Sequence, residues 1–190
     1  MIIQEPTRPN PEAWYRAGFA PINYLQKSLE ILQLNVKTFR NVAQDEGAFF
    51  PALLFFAVSG LASGMGQFNI KMMVIGPILA IVFSLMFVGL LNVLANSFGG
   101  TVKFLELYQP LGLAASLMWV QALPFLGPLL GIFAFVYFAV VANVALESVA
   151  GLSPARAVAA ISLLVGAVLF LFLFFFAIAG SVIIMKTLLS

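Results

Sequence analysis

Residues 107–146 read LYQPLGLAASLMWVQALPFLGPLLGIFAFVYFAVVANVAL, a run of 40 residues without a charged side chain. A membrane-crossing helix needs about 20 mostly apolar residues, so this run is too long for a single crossing. Inside it, Leu123-Pro124-Phe125-Leu126-Gly127-Pro128 combines prolines, which disfavour helix in the residue before them, with a glycine that permits a tight turn. The run therefore predicts two membrane helices, about Gln109–Leu123 and Pro128–Leu146, joined by a hairpin.

Three further uncharged runs predict three further spans, because a charge at the bilayer centre costs about 3 kcal/mol. The runs are Gly47–Ile70, Met72–Val102 and Ala157–Met185. We expect spans at about Phe49–Gln67 and Met73–Ala95, with the fifth inside the last run. The predicted fold class is an all-α integral membrane protein with five transmembrane helices.

The composition excludes most other classes of protein. Of the 190 residues, 63% are hydrophobic and 8% are charged, against about 45–50% and 25% in soluble domains. This excludes an ordinary cytosolic enzyme, a nucleic-acid binder and a disordered linker. The chain contains neither cysteine nor histidine, so the commonest ligands of zinc, copper and haem are missing. We therefore expect no enzymatic activity, no cofactor and no metal site.

The basic residues predict the orientation in the membrane. With five spans, seven of the nine basic residues fall on one side: Arg8, Arg16, Lys27, Lys37, Arg40, Lys103 and Arg156. Only Lys71 and Lys186 fall on the other. The positive-inside rule then places the N-terminus in the cytoplasm and the C-terminus outside. Residues 1–11 lack the basic and apolar regions of a signal peptide, so we expect none to be cleaved.

An amphipathic segment precedes the first span. Apolar residues recur there at intervals of three and four: Ile22, Leu25, Leu29, Leu32, Val36 and Phe39. This spacing predicts one helix over residues 22–46, between an irregular segment at 1–21 and a membrane domain at 47–190. The helix could lie in the membrane interface, dock on the bundle or pair with a second copy as a coiled coil. Interfacial placement is the leading interpretation, and the apolar residues would then contact lipid.

Five motifs, in order, make the chain resemble a known family. They are Phe49-Phe50-Pro51-Ala52-Leu53, Gly99-Gly100, Lys103-Phe104, the 123–128 hairpin and Gly151-Leu152-Ser153-Pro154-Ala155-Arg156-Ala157. From about Leu32 to the C-terminus the chain resembles the Yip family, membrane proteins first named for interacting with Ypt/Rab GTPases. Related proteins often carry a histidine before the last motif, where this chain has Ser148-Val149-Ala150. The resemblance implies a non-enzymatic membrane protein that acts through partners or membrane shape.

Polar residues near the predicted cytoplasmic ends of the spans form one candidate site. Asn92 and Asn96 are four residues apart, as are Asn143 and Glu147, and Arg156 begins the fifth span. They could converge into one polar cluster. A structural role, as hydrogen bonds between helices, is favoured over a ligand or ion site.

Small and aromatic residues indicate packing surfaces. Gly60 and Gly64 form one pair at the GxxxG spacing, and Gly127 and Gly131 form another. Such glycines let helices approach closely, and packing within the chain is favoured over a dimer interface. In the fifth span, Leu169-Phe170-Leu171-Phe172-Leu173-Phe174-Phe175-Phe176 is bulky on every face. Lipid contact is favoured for that stretch, with docking on a larger complex as the alternative.

Two functions follow from these observations. The first is a scaffold or accessory subunit that organises the membrane or a membrane-protein complex. The second is a transporter or channel subunit whose site is the polar cluster. The expected partners are the lipid bilayer and other membrane proteins or a second copy, not nucleic acid. The expected location is the bacterial cytoplasmic membrane, crossed several times.

Overall fold

The computed structural model describes residues 21–188, with side chains from Ile22 to Phe170 except Pro128, and Phe174. The predicted irregular segment at 1–21 therefore lies almost entirely outside the described residues. Seven α-helices follow in order: α1 (Pro21–Leu32), α2 (Val36–Ala43), α3 (Phe49–Gly66), α4 (Ile70–Ser97), α5 (Phe104–Ala114), α6 (Gly127–Ser148) and α7 (Pro154–Leu188). Short 3₁₀ segments cover Glu46–Ala48 and Ala115–Ala122. No strand occurs in the part of the chain described, and the all-α prediction is confirmed.

Three of the described helical stretches are long and apolar enough to cross a membrane: Glu46–Gly66, Ile70–Ser97 and Leu129–Ser148. They correspond to the first, second and fourth predicted spans, with ends that differ by a few residues. A shorter apolar stretch, Pro154–Phe170, opens α7, where the fifth span is predicted. The chain is thus a helical protein of the membrane type.

The third predicted span has a different form from the one expected. It begins at Phe104, before Gln109, and changes from α-helix to 3₁₀-helix at Ala115. A 3₁₀-helix rises about 2.0 Å per residue against 1.5 Å in an α-helix, so residues 104–122 extend over about 32 Å. That length matches the hydrocarbon thickness of a bilayer, about 30 Å. The predicted hairpin follows as a turn at residues 123–126, where Phe125 has a φ of 62°.

Helix α5 is the centre of the bundle. Every residue from Leu107 to Ala115 is buried, and α5 contacts α1, α2, α3, α4 and α6. Aromatic rings fill the space around it, since Tyr108 packs against Phe49, Phe56 and Phe104 at centroid distances of 5.4–5.6 Å. Five of the other six helices therefore pack on α5, and α7 packs on α4 and α6.

The leader, defined here as residues 21–45, is two helices and not the single helix predicted over 22–46. Leu34 has a φ of 60°, in the left-handed region that ends α-helices. The Asn35 side chain then accepts a hydrogen bond from the Lys37 backbone N–H and caps α2. The break turns α2 to a new direction, so the evenly spaced apolar residues no longer share one face.

Candidate functional site

Five of the basic residues whose side chains are described gather at one end of the bundle, called the basic end below. They are Lys27, Lys37, Arg40, Lys103 and Arg156. Arg40 Nε donates to the Ser148 carbonyl at the end of α6 (3.1 Å), and Arg156 Nη1 donates to the Phe98 carbonyl after α4 (3.3 Å). Lys71 lies in the first turn of α4, at the opposite end. The charge asymmetry predicted from the sequence is thus also an asymmetry of the folded bundle.

Asn92 and Asn96 hold the loop that joins α4 to α5. Both side-chain amides donate to the Val102 carbonyl, at 3.0 and 3.3 Å. Asn96 Oδ1 also accepts the Val102 backbone N–H at 3.1 Å. Val102 is buried, so these bonds satisfy backbone groups that water does not reach. The two asparagines close a turn of the chain.

Asn143 and Glu147 form a separate pair on α6. Asn143 Nδ2 donates to Glu147 Oε1 at 2.5 Å. Asn143 Oδ1 is buried and has no hydrogen-bond partner among the residues that the structure describes. Within the described residues, no hydrogen bond or ion pair links this pair to Asn92, Asn96 or Arg156. The five polar residues are therefore not joined into one bonded cluster, because two of them bind a loop and Arg156 binds the backbone after α4.

The four glycines singled out from the sequence lie at close helix contacts inside the molecule. A methyl group on Gly60 would collide with the Gly76 carbonyl of α4, and one on Gly64 would lie 2.5 Å from the Met73 nitrogen. Gly127 and Gly131 instead face Gln121 of the 3₁₀ segment. The first pair therefore closes the α3–α4 hairpin, and the second allows the turn into α6 to pack tightly.

The leader is docked on the bundle by its own buried face. Ile31, Phe39 and Val42 are completely buried. Ser28 Oγ donates to the Leu113 carbonyl of α5 at 2.9 Å. Tyr137 Oη of α6 donates to the Leu32 carbonyl at 2.5 Å. Docking on the bundle, one of the three interpretations of the sequence, is what these contacts show.

A salt bridge joins the leader to the start of α3. Lys27 Nζ lies 2.7 Å from Asp45 Oδ2, and the Tyr24 hydroxyl donates to the same oxygen at 3.4 Å. Burial, followed by the charge of Asp45, raises the pKa of Tyr24 above its ordinary value. Asp45 Oδ1 in turn accepts the Gly47 backbone N–H at 3.1 Å. One carboxylate thus links α1 to the turn that precedes α3.

Helix α1 of the leader lies along the side of the bundle, and its contacts are displaced from the basic end toward the middle of the bundle. Tyr137, which binds Leu32, comes 11 residues before Ser148, a distance of about 16 Å along α6. Leu113, which binds Ser28, is nine residues into α5, about 14 Å from its start. Helix α1 is therefore held at the level of the apolar helices.

Four of the six predicted interfacial residues face away from the bundle. Ile22 is 75% exposed and Leu29 is 61% exposed, and Leu25 and Val36 are also exposed. Leu32 is half-buried and Phe39 is buried. The prediction of one continuous surface over all six residues is wrong, because the break at Leu34 directs Phe39 into the core.

A side cavity of about 410 Å³, which the sequence does not predict, lies between α3, α4, α6 and the 3₁₀ segment. Its walls include the aromatic residues Phe56, Phe83, Phe87, Phe135 and Phe138. The Ser84 hydroxyl in its wall is bonded to the Tyr108 hydroxyl, and that of Ser59 to the Ala115 carbonyl. These two polar groups of the cavity are thus already hydrogen-bonded within the protein.

The comparison with known families agrees with this architecture. A model of the Yip1 domain matches residues 29–177. The chain belongs to the Yip1-domain family. No curated protein and no solved structure is similar enough to this chain to be matched. The matched region begins inside α1 and continues into α7, so the Yip1 domain includes the buried leader residues Ile31, Phe39 and Val42.

Sequence reasoning missed several residues that connect the elements. Ser28 and Gln109 are both buried, and Gln109 Nε2 donates to the Asp45 carbonyl at 3.0 Å. Trp119 Nε1 donates to the Phe55 carbonyl at 3.3 Å. Gln109 lies inside the charge-free run 107–146, as its third residue. A polar residue within an otherwise apolar run was the sequence signal that could have predicted a buried hydrogen bond.

Proposed function

We propose that this Yip1-domain protein acts without catalysis, as a scaffold or accessory subunit that organises the membrane or a membrane-protein complex. The observation that supports the proposal most is the docked leader. One face of α1 is fixed to the bundle, while Ile22, Leu25 and Leu29 project outward at the depth of the apolar helices. An amphipathic helix placed in one leaflet perturbs lipid packing there. Because this helix is fixed to the bundle, it would also set the bundle's position in that leaflet.

Within this proposal the chain crosses the membrane five times, with the N-terminus in the cytoplasm. Support for the third crossing is the length of residues 104–122, and support for the fifth is the length of α7 (Pro154–Leu188). Support for the orientation is the basic end, which holds five described basic residues against Lys71 at the other end. The bacterial cytoplasmic membrane is the proposed location.

Cysteine labelling tests the crossings in a protein that contains no cysteine of its own. A cysteine at Gly99 would strain a backbone with a φ of 91°, so the exposed position Thr101→Cys is used at the basic end. Phe68→Cys and Phe125→Cys mark the two turns at the other end. In intact cells, a membrane-impermeant maleimide should label positions 68 and 125 and not position 101. Labelling of 101 and not of 68 would contradict the orientation.

The other predicted partners are membrane proteins or a second copy. Helices α4 and α6 present many exposed apolar side chains, among them Phe83, Met86 and Phe133. In a five-crossing protein such surfaces contact lipid or another membrane protein. Affinity purification in mild detergent, followed by mass spectrometry, tests for stable partners. Repeating it with Ile22→Glu/Leu29→Glu shows whether the leader is needed for them.

A transporter or channel subunit is the second candidate, and Asn143 is the observation that favours it. Its Oδ1 is buried without a partner in the described part of the chain, and its Nδ2 donates to Glu147. The double variant Asn143→Leu/Glu147→Gln separates the two functions. A scaffold should keep its partners in this variant. Solute movement in vesicles that the parent supports and the variant abolishes would instead favour transport.

A further inference from the structure

A second cavity lies at the basic end, where the leader meets the bundle. It has a volume of about 610 Å³ and opens between the end of α2 and the start of α5. Its polar wall is formed by Gln44, Glu46, Lys103, Glu106 and Gln109. These residues flank the point at which α3 and α5 begin, the level at which lipid headgroups meet a membrane domain. None of the site residues predicted from the sequence lines this cavity.

Gln109 leaves one hydrogen-bond acceptor unused in the wall of this cavity. The residue is 3% exposed, and its Nε2 donates to the Asp45 carbonyl at 3.0 Å. A carbonyl can only accept, so the amide nitrogen must face Asp45 and Oε1 must face the other way. Oε1 is buried and has no hydrogen-bond partner among the described residues. Buried acceptors are almost always paired, so Oε1 indicates a donor that comes from outside the described part of the chain.

The charges around Gln109 define that donor. Glu46 is exposed and forms no ion pair with any described residue. Glu106 Oε2 accepts the Lys103 backbone N–H at 3.0 Å, and its Oε1 lies 4.0 Å from Lys103 Nζ. The Lys103 side chain is 86% exposed, so its ammonium is available to an anion. The wall thus offers carboxylate and amide acceptors beside the Lys103 ammonium, which is exposed and lies 4.0 Å from Glu106 Oε1.

We propose that this cavity binds the phosphoethanolamine headgroup of an aminophospholipid. The primary ammonium has three N–H donors, which suit Gln109 Oε1 and the Glu46 carboxylate. The phosphate is adjacent in the same headgroup and pairs with Lys103. Leu105, in the same wall and half exposed, offers apolar surface to the start of the acyl chains. A choline headgroup has no N–H and leaves Gln109 Oε1 unpaired.

Other ligands fit the wall less well. The described residues contain no group of three or more acidic, histidine or cysteine side chains that could hold a metal ion. A purely anionic headgroup would bring a negative charge between Glu46 and Glu106 with only Lys103 to balance it. The zwitterionic amine is the headgroup chemistry that uses both signs of charge.

A lipid titration tests the proposal on the purified full chain in detergent. Dioleoylphosphatidylethanolamine, dioleoylphosphatidylcholine and dioleoylphosphatidylglycerol are added separately, and the rise in thermal midpoint gives an apparent Kd for each. We expect the ethanolamine lipid to bind at least about tenfold more tightly than the other two, since a charge-assisted hydrogen bond contributes that much. Equal binding of all three lipids would overturn the proposal.

Variants locate the site. Glu46→Gln, at an exposed position, should reduce ethanolamine-lipid binding to the level of the choline lipid, and Gln109→Leu should do the same. The matched control is Glu30→Gln, which keeps an acceptor for the Thr38 hydroxyl and lies outside the cavity. Unchanged binding by Glu46→Gln would refute the site even if Gln109→Leu fails to fold. Soluble phosphoethanolamine is the final arm: a shift with it and none with the lipid would overturn the lipid as the source of the headgroup.

Discussion

Replacing Ile31 with alanine is expected to free the leader from the bundle, whereas replacing Leu29 is not. The two residues lie two positions apart on α1 and differ in burial. Ile31 is 0% exposed and belongs to the main core, while Leu29 is 61% exposed. Truncating a fully buried isoleucine to alanine costs about 2–5 kcal/mol. Truncating an exposed side chain costs within about 0.5 kcal/mol.

The lower figure of about 2 kcal/mol raises the population of undocked leader about 30-fold. Trypsin sites at Lys27, Lys37 and Arg40 report this population, because cleavage follows the open fraction when opening is fast. In detergent, we expect Ile31→Ala to be cut in the leader about 30 times faster than the parent. Leu29→Ala should be cut within about threefold of the parent. Equal rates for the two variants would refute the docking described above.

The remaining predictions concern the bundle. Gly60→Ala should lower the thermal midpoint by several degrees, because the added methyl collides with the Gly76 carbonyl and overpacking costs about 1–3 kcal/mol. The control is Gly89→Ala, where the added methyl meets open space. This variant should leave the midpoint unchanged or raise it. A fall of the same size in both variants would show that the α3–α4 contact is not close. Asn96→Leu should destabilise the protein by about 2 kcal/mol, since the backbone N–H and C=O of Val102 each lose a hydrogen bond. Asn41 is exposed, so the control variant Asn41→Leu should have little effect on stability. Denaturant titration monitored by tryptophan fluorescence measures both, and equal losses would mean that Asn96 does not hold the loop.

The first, second and fourth predicted spans followed from the sequence because charge excludes a segment from the bilayer centre, and these charge-free runs are long. The turn at 123–126 followed from proline and glycine chemistry. The 3₁₀ form of residues 115–122 did not, because it arises where this segment packs on α3 and α6. The sequence of residues 115–122 alone does not indicate which neighbouring helices this segment packs against.

The leader and the polar residues show the same limit. Leu34 adopts a left-handed conformation although it is not a glycine, so no residue type marks the end of the helix. The apolar residues keep their regular spacing across this break, and the spacing therefore predicted one helix where there are two. The four-residue spacing of Asn92 and Asn96 correctly placed them on one face. Their target, the backbone of Val102, depends on how the loop folds back on α4. Long-range backbone partners of this kind cannot be read from residue spacing alone.

Spin-label accessibility at the leader tests the central claim most directly, because the natural chain has no cysteine to remove. Leu29→Cys and Lys37→Cys, both exposed, are each labelled with a nitroxide and reconstituted into vesicles. If α1 holds its outer face in the lipid, the label at 29 collides mainly with dissolved oxygen. The label at 37 then collides mainly with a water-soluble nickel complex. Predominant nickel collisions at both positions would contradict a leader held in the membrane.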